Sequence, residues 1–272
     1  MPLELARSKL LSEGDPEGAL ALLQAHIRQA PEAPAPRIFL FQLLCIQEAW
    51  HRALGQLDTL RKLDPSADLM VQAYQALIHC EILRESVFAG TQTPLVLGEP
   101  EPWIAQLLES IRGGSDTQLS ARQKALELAP ASSGSLNGVP FDWIADADTR
   151  LGPCFEFIIN GKYYWAPVTA IERVQIDPPA DLRDLVWLPC HLTLRSGAEV
   201  EAFMPVRYPA GASQPTEGSL LLSRETRWVG SPNWPEGIGQ RMIATSAQDT
   251  ALLDCRDITI DPARCLVSAM HG

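Results

Sequence analysis

Three carboxylates, Asp142, Asp146 and Asp148, stand in one short stretch, a spacing at which oxygens can surround a hard cation such as Ca²⁺ or Mg²⁺. The stretch lacks the glycine turn and the terminal bidentate glutamate of an EF-hand loop, so capping and solvated charge account for it better. Asp148 is also placed to form a structural ion pair with Arg150. The histidines, at 26, 51, 79, 191 and 271, show no metal-ligand spacing. The cysteines, at 45, 80, 154, 190, 255 and 265, include no Cys-x-x-Cys pair, and buried free thiols are the expectation. There is no Gly-x-Ser-x-Gly elbow and no phosphate-binding Gly-Lys-Ser/Thr loop. Gly237-Ile238-Gly239-Gln240-Arg241 has two glycines but neither the third nor the preceding βαβ unit of a dinucleotide site, and it reads as a turn leading into a strand. No catalytic residue, metal ligand or cofactor site is assigned on these grounds.

Elements that could position such residues must come from a chain of 272 residues, long enough for one large or two ordinary domains. Its net charge of −11 argues against nucleic acid and anionic membranes, whose binding rests on Lys and Arg. Neither half hides a basic domain: residues 1–130 hold 11 Lys/Arg and 16 Asp/Glu, and residues 131–272 hold 11 and 17. The chain opens Met1-Pro2-Leu3-Glu4 and enters an amphipathic helix without the basic and apolar regions of a signal peptide. No run of roughly 18 apolar residues occurs. A soluble cytoplasmic protein is expected.

The first half repeats with a period of 34 residues: Ala19, Leu20, Leu23 and Pro31 recur as Ala53, Leu54, Leu57 and Pro65, and Leu10 maps to Leu44. That is the tetratricopeptide period. A small alanine lets two helices approach, leucines fill the seam, and proline ends the second helix. Expected hairpins are 3–13 with 16–29, and 36–47 with 50–63, Gly14-Asp15 forming the first turn. The predicted stripes are Leu5, Leu11, Leu20, Leu23 and Ile27, then Phe39, Leu43, Leu44, Leu54, Leu57 and Leu60. A further helix is expected over 68–85, a loop over 86–102, and a weak resumption through Trp103, Leu107, Leu108 and Ile111 and then 119–129.

Residues 130–140 favour neither helix nor strand, and the period then changes to two. Phe155, Phe157 and Ile159 alternate on one face, Asn160-Gly161 is a type I′ turn signal, and 162–168 returns as the paired strand. Strands are also expected over 170–176, 185–195, 199–206, 240–245 and 251–260, with a helix near 179–184 or 219–226. The fold class is therefore α+β, in two domains: tetratricopeptide-like helical hairpins over 1–130 and a mainly antiparallel β domain over 140–272.

Residues 131–272 carry ten Arg but one Lys, and five of the seven Trp. Such residues are enriched where proteins grip proteins, and equally in compact β cores with Arg–carboxylate networks. Arg150, Arg183, Trp187, Arg207, Tyr208, Trp228 and Arg241 are the candidate protein-binding residues. A second reading places an enzyme or small-ligand site between the domains, near Asp148, Arg150, Arg207 and Arg241. A third, a tetratricopeptide co-chaperone, needs a Lys/Arg carboxylate clamp, for which the basic residues of the first half are too scattered.

Five ordered motifs carry a resemblance: Asp146-Ala147-Asp148-Thr149-Arg150-Leu151-Gly152-Pro153, Asn160-Gly161-Lys162-Tyr163-Tyr164-Trp165-Ala166-Pro167, Asp181-Leu182-Arg183-Asp184-Leu185-Val186-Trp187, Pro205-Val206-Arg207-Tyr208-Pro209 and Gly237-Ile238-Gly239-Gln240-Arg241. As a set they resemble the ImpE family, also called TagJ or SciE, over nearly the whole chain. The resemblance implies an accessory component of the bacterial type VI secretion system, a contractile injection machine. It further implies a cytoplasmic, non-enzymatic protein without cofactor. Its partner would be the sheath small subunit, bound through that subunit's N-terminal helix, with an indirect link to sheath handling by the ClpV ATPase.

Overall fold

The computed structural model describes residues 2–99, 101–112, 115–209 and 216–262; Cys265 and His271 lie outside the described residues. Its helices are α1 (Pro2–Leu11), α2 (Pro16–Gln29), α3 (Pro34–Ile46), α4 (Trp50–Leu63), α5 (Asp68–Phe88), α6 (Pro102–Arg112), α7 (Ser115–Leu128) and a one-turn α8 (Gly218–Leu221). The strands, in chain order, are β1 (Leu95–Val96), β2 (Gly134–Leu136), β3 (Val139–Phe141), β4 (Ile144–Asp146), β5 (Cys154–Ile159), β6 (Lys162–Pro167), β7 (Ile171–Ile176) and β8 (Trp187–Leu194). They continue with β9 (Glu199–Pro205), β10 (Arg207–Tyr208), β11 (Thr226–Ser231), β12 (Trp234–Gln240), β13 (Met242–Thr245), β14 (Asp249–Ala251) and β15 (Asp257–Ile260).

Helix starts follow local chemistry. The Asp15 carboxylate accepts the Gly18 N–H at 2.8 Å, and Pro16 occupies the first turn of α2, where its missing N–H costs nothing. The 34-residue repeat marks the helix contacts: Ala19 and Ala53 are both fully buried, as are Leu23 with Leu57 and Leu10 with Leu44. The stripe expected on α1 is displaced by one residue. Ala6 and Leu10 face the core, whereas Leu5 and Leu11 are 55% and 36% exposed, because the small alanine is what lets α1 close on its neighbour. Helix α3 is buried at every position from Phe39 to Ile46, the condition of a helix apolar all round.

The expected loop over 86–102 takes a different form. Helix α5 continues to Phe88, and Leu95 and Val96 then pair in parallel with Tyr164 and Trp165 of β6. The helical half thus lends an edge strand to a nine-stranded sheet of order β1-β6-β5-β9-β8-β7-β15-β2-β3, whose other pairings are antiparallel. The 154–167 hairpin forms as read: Asn160 and Gly161 take φ of 50° and 71°, the left-handed pair that a type I′ turn demands. Two three-stranded sheets, β10-β12-β11 and β14-β13-β4, complete the β half.

Three expectations are corrected here. Gly237-Ile238-Gly239-Gln240 is no turn but the end of strand β12. The strand expected over 240–245 breaks at Arg241, and the one over 251–260 is interrupted by a 3-10 turn at Leu252–Asp254. The β11–β12 hairpin, unread in the sequence, packs Gly237 flat against the Tyr208 ring, where any Cβ would overlap the ring carbons.

Two apolar cores result, one on each face of the sheet. The first runs from the helices to Cys154, Ile158, Tyr163, Trp165 and Trp187. The second holds Phe155, Phe157, Ile159, Val174, Leu188 and Ile258. Strand alternation sends even-numbered residues of β5 toward the helices and odd-numbered ones away.

Candidate functional site

Glu156 is the even-numbered residue of β5 that breaks this apolar rule. It is fully buried and faces Arg84 of α5, which clamps it with two parallel bonds of 2.6 and 3.0 Å, the planar fork that only a guanidinium supplies. Arg241, at the break between β12 and β13, bonds the second carboxylate oxygen. Tyr163 donates its hydroxyl to the first, and Trp165 donates in turn to the Tyr163 oxygen at 2.6 Å.

From this centre the network spreads through both halves. Arg84 also reaches Glu81 at 3.1 Å and the carbonyl of Arg207 at 2.7 Å. Glu81 accepts from the Trp187 indole at 3.0 Å. Arg241 donates to Asp146 at 2.7 Å, and Asp146 also accepts from the Tyr208 hydroxyl and the Asp148 backbone, both at 2.9 Å. Asp148 holds Arg150 at 2.5 Å and takes the Gly237 N–H at 2.8 Å, so the intrachain pair read from sequence forms. The solvated-charge reading of this stretch fails for Asp146 and Asp148, which are buried; only Asp142 is exposed.

Electrostatics divide these carboxylates. Burial pushes the Glu156 carboxyl up, but Arg241 and then Arg84 outweigh it and hold it at about 2. Burial dominates at Asp146, raising it to about 7 against the pull of Arg241, and burial likewise raises Glu81 against Arg84. Desolvation also lifts the Cys80 and Cys255 thiols to about 12, so neither is a ready thiolate.

Arg207 performs a separate task. It donates to the carbonyls of Ile46 at 2.6 Å and Cys45 at 3.3 Å, the open C-terminal end of α3, and to Leu221 at 2.6 Å. A cation at that end satisfies orphan carbonyls and meets the negative pole of the helix. Gln42 of α3 reaches Asp181 at 3.2 Å, and Trp187 packs between Trp50 and Tyr74 with centroids 6.1 and 6.2 Å away.

Among the seven residues expected to meet a partner, Trp187, Arg207, Tyr208 and Arg241 lie at 1–5% exposure; Trp187 and Arg207 bond to the helical half, and Tyr208 and Arg241 bond within the β half. Their hydrogen bonds are made within the chain. Arg150 is nearly covered, stacked over Phe88 at 5.1 Å. Arg183, over Tyr74 at 5.3 Å, keeps 39% of its side chain exposed, and Trp228, against Tyr208, is 42% exposed. Sequence reading missed Glu156, Arg84 and Glu81. The available signal was a lone carboxylate in the strand Cys-Phe-Glu-Phe-Ile-Ile, since an unpaired charge is not buried there.

A sequence model of the family described as ImpE protein matches residues 138–259. The chain is 42% identical to the type VI secretion system accessory component TagJ of Pseudomonas aeruginosa over 264 residues, covering 96% of this chain and 92% of that protein. Its fold matches the crystal structure of protein VPA1032 from Vibrio parahaemolyticus with a TM-score of 0.86 at 24% identity, covering 93% of this chain and 96% of that one. Matched at such identity from the helical hairpins through the β half, the chain belongs to the ImpE family of type VI secretion system accessory proteins, the TagJ group.

Proposed function

We propose that this protein is a non-enzymatic cytoplasmic adaptor of the type VI secretion system. It binds the sheath small subunit through that subunit's N-terminal helix and is thereby linked to ClpV-dependent sheath handling. The likeness to the TagJ accessory component over 96% of the chain carries this reading. In it, a tetratricopeptide-like domain over 1–130 packs with a domain over 140–272, whose Arg183 and Trp228 are the outward-facing candidates for the partner.

The alternative, an enzyme or ligand site between the halves, draws on the gathering of Asp148, Arg150, Arg207 and Arg241 near the junction. Against it, Glu156 accepts from Arg84, Arg241 and Tyr163, and Asp148 from Arg150 and the Gly237 N–H, which leaves these two carboxylates without the free lone pairs a substrate needs. No helix among the described residues is long and apolar enough to cross a membrane.

The test is calorimetric titration of the full chain with a peptide copying the first helix of the sheath small subunit. Saturable heat is expected. Absence of heat at high micromolar peptide, together with unchanged co-purification when that helix is deleted from the sheath subunit, removes the proposed partner.

A further inference from the structure

Among the described residues, the strands at the outer edges of the three sheets are β1 and β3, β10 and β11, and β14 and β4. All but one of them run for two or three residues, and short edges are one way in which sheets avoid pairing with another chain. The exception is β11. It spans six residues, holds no proline, and is exposed from Arg227 to Ser231.

Alternate residues of β11 turn their backbone groups outward. The Gln240 N–H donates to the Glu225 carbonyl at 2.9 Å, and Gly230 stands opposite Pro235, which has no N–H to give. Odd-numbered residues of β11 therefore bond to β12, and the N–H and C=O groups of Thr226, Trp228 and Gly230 point to the open edge. No other strand among the described residues meets them. Trp228 is held in place there. It lies opposite Gly237, whose missing side chain opens the row between the indole and Tyr208, and the two rings meet with centroids 5.7 Å apart. One side of the indole is thus packed, while 42% of the residue stays exposed.

We infer that β11 pairs antiparallel with β11 of a second copy of this chain, about a two-fold axis through Trp228, joining two three-stranded sheets into one. An axis normal to the sheet keeps opposed residues on one face, and centring it on Trp228 sets that residue against itself, Thr226 against Gly230, and Arg227 against Val229. Charge complementarity selects this occupant. Charge lies at the start of the strand, where Arg227 is held by Glu217 at 2.6 Å and Glu225 at 3.2 Å, whereas Val229, Gly230 and Ser231 are uncharged. Reversed self-pairing lays the charged part of each strand on the uncharged part of the other, so like charges do not meet. The Arg227 stem covers the second copy's Val229, and the two indoles meet at the axis. The pairing does not depend on the sheath subunit being a partner; it takes Trp228 for a second copy and leaves Arg183 as the outward-facing candidate for another protein.

The experiment is sedimentation equilibrium of the full chain from low to high micromolar concentration. A monomer–dimer equilibrium is expected, tightened by salt because each copy carries a net charge of −11. Trp228→Pro removes the ring and the outward N–H while touching no bond to β12, and is expected to keep its circular dichroism and to stay monomeric. Val229→Lys places a lysine beside the second copy's Arg227 and is expected to dimerise about tenfold more weakly than Val229→Glu, the change counting twice at a two-fold interface. Within one copy Val229 stands opposite Glu236, so fold stability and net charge both favour the lysine, and the opposite order in dimerisation reads the interface alone. A dimer left intact in folded Trp228→Pro, or Val229→Lys dimerising as well as Val229→Glu, overturns the inference. A parent chain that stays monomeric at high micromolar concentration also overturns it, and leaves the edge to a strand of another protein.

Discussion

Arginine serves opposite ends in two regions of this molecule. At the junction of the halves, Arg84 and Arg241 are buried and converge on the one carboxylate of Glu156, with Glu81 and Asp146 each taking a further donor. On the hairpins, Arg28, Arg37 and Arg52, one each from α2, α3 and α4, line one crevice and meet no carboxylate among the described residues. Where guanidinium and carboxylate are both desolvated, the pair fixes geometry, and removing one member is costly. Where a guanidinium stays in water, it adds little to stability and remains available to a second molecule.

The sharpest way to break the comparison is Glu156→Gln. It keeps the shape but leaves two buried guanidiniums sharing a neutral amide, and the expected loss is about 3–5 kcal/mol in urea unfolding. An unchanged midpoint would place the cluster with the surface charges. Gly237→Ala tests the support beneath it: a methyl group driven into the Tyr208 ring should cost roughly 1–3 kcal/mol and loosen the hydroxyl that Tyr208 lends to Asp146.

Acidity separates the members of the cluster further. The folded state holds Glu156 at about 2 against a usual 4.5, so its contribution is complete above pH 4.5 and is lost as pH falls toward 2. Asp146 runs the other way: raised to about 7 from 3.8, it contributes most below pH 3.8 and loses that contribution as pH rises through 7. Asp146→Asn should therefore flatten the decline in stability between roughly pH 4 and 7, measured by urea titration at several pH values. A slope equal to that of the parent would show that other groups set it. Smallest of all, Arg28→Glu should move stability by no more than about 0.5 kcal/mol; a larger loss would mean that Arg28 has a structural task inside the hairpins.

Much of this arrangement was legible in the residue pattern, for reasons that differ by element. The hairpin of β5 and β6 announced itself because alternation and Asn-Gly point the same way. The 34-residue offset located the buried positions because close helix packing admits only small or complementary side chains there. The β11–β12 hairpin escaped because β11 is exposed along nearly its whole length, so burial imposed no alternation on it. The ion cluster escaped for another reason. Glu156 and Arg84 lie far apart in sequence, and nothing local reveals that a strand carboxylate will find its guanidinium on a distant helix. Enrichment in Arg and Trp was real, but composition could not separate an internal brace from an external grip. Trp187 and Arg207 turned out to be the former.

The two residues of β1 bear on how the chain is made. Leu95 and Val96 leave the ribosome well before β6, the strand they border, and they are flanked on both sides by helices that pair with their own neighbours. During synthesis the hairpins can close early, yet this edge stays unmatched until Tyr164 and Trp165 emerge. The helical half therefore completes itself last, threaded onto a sheet that did not exist when it began to fold.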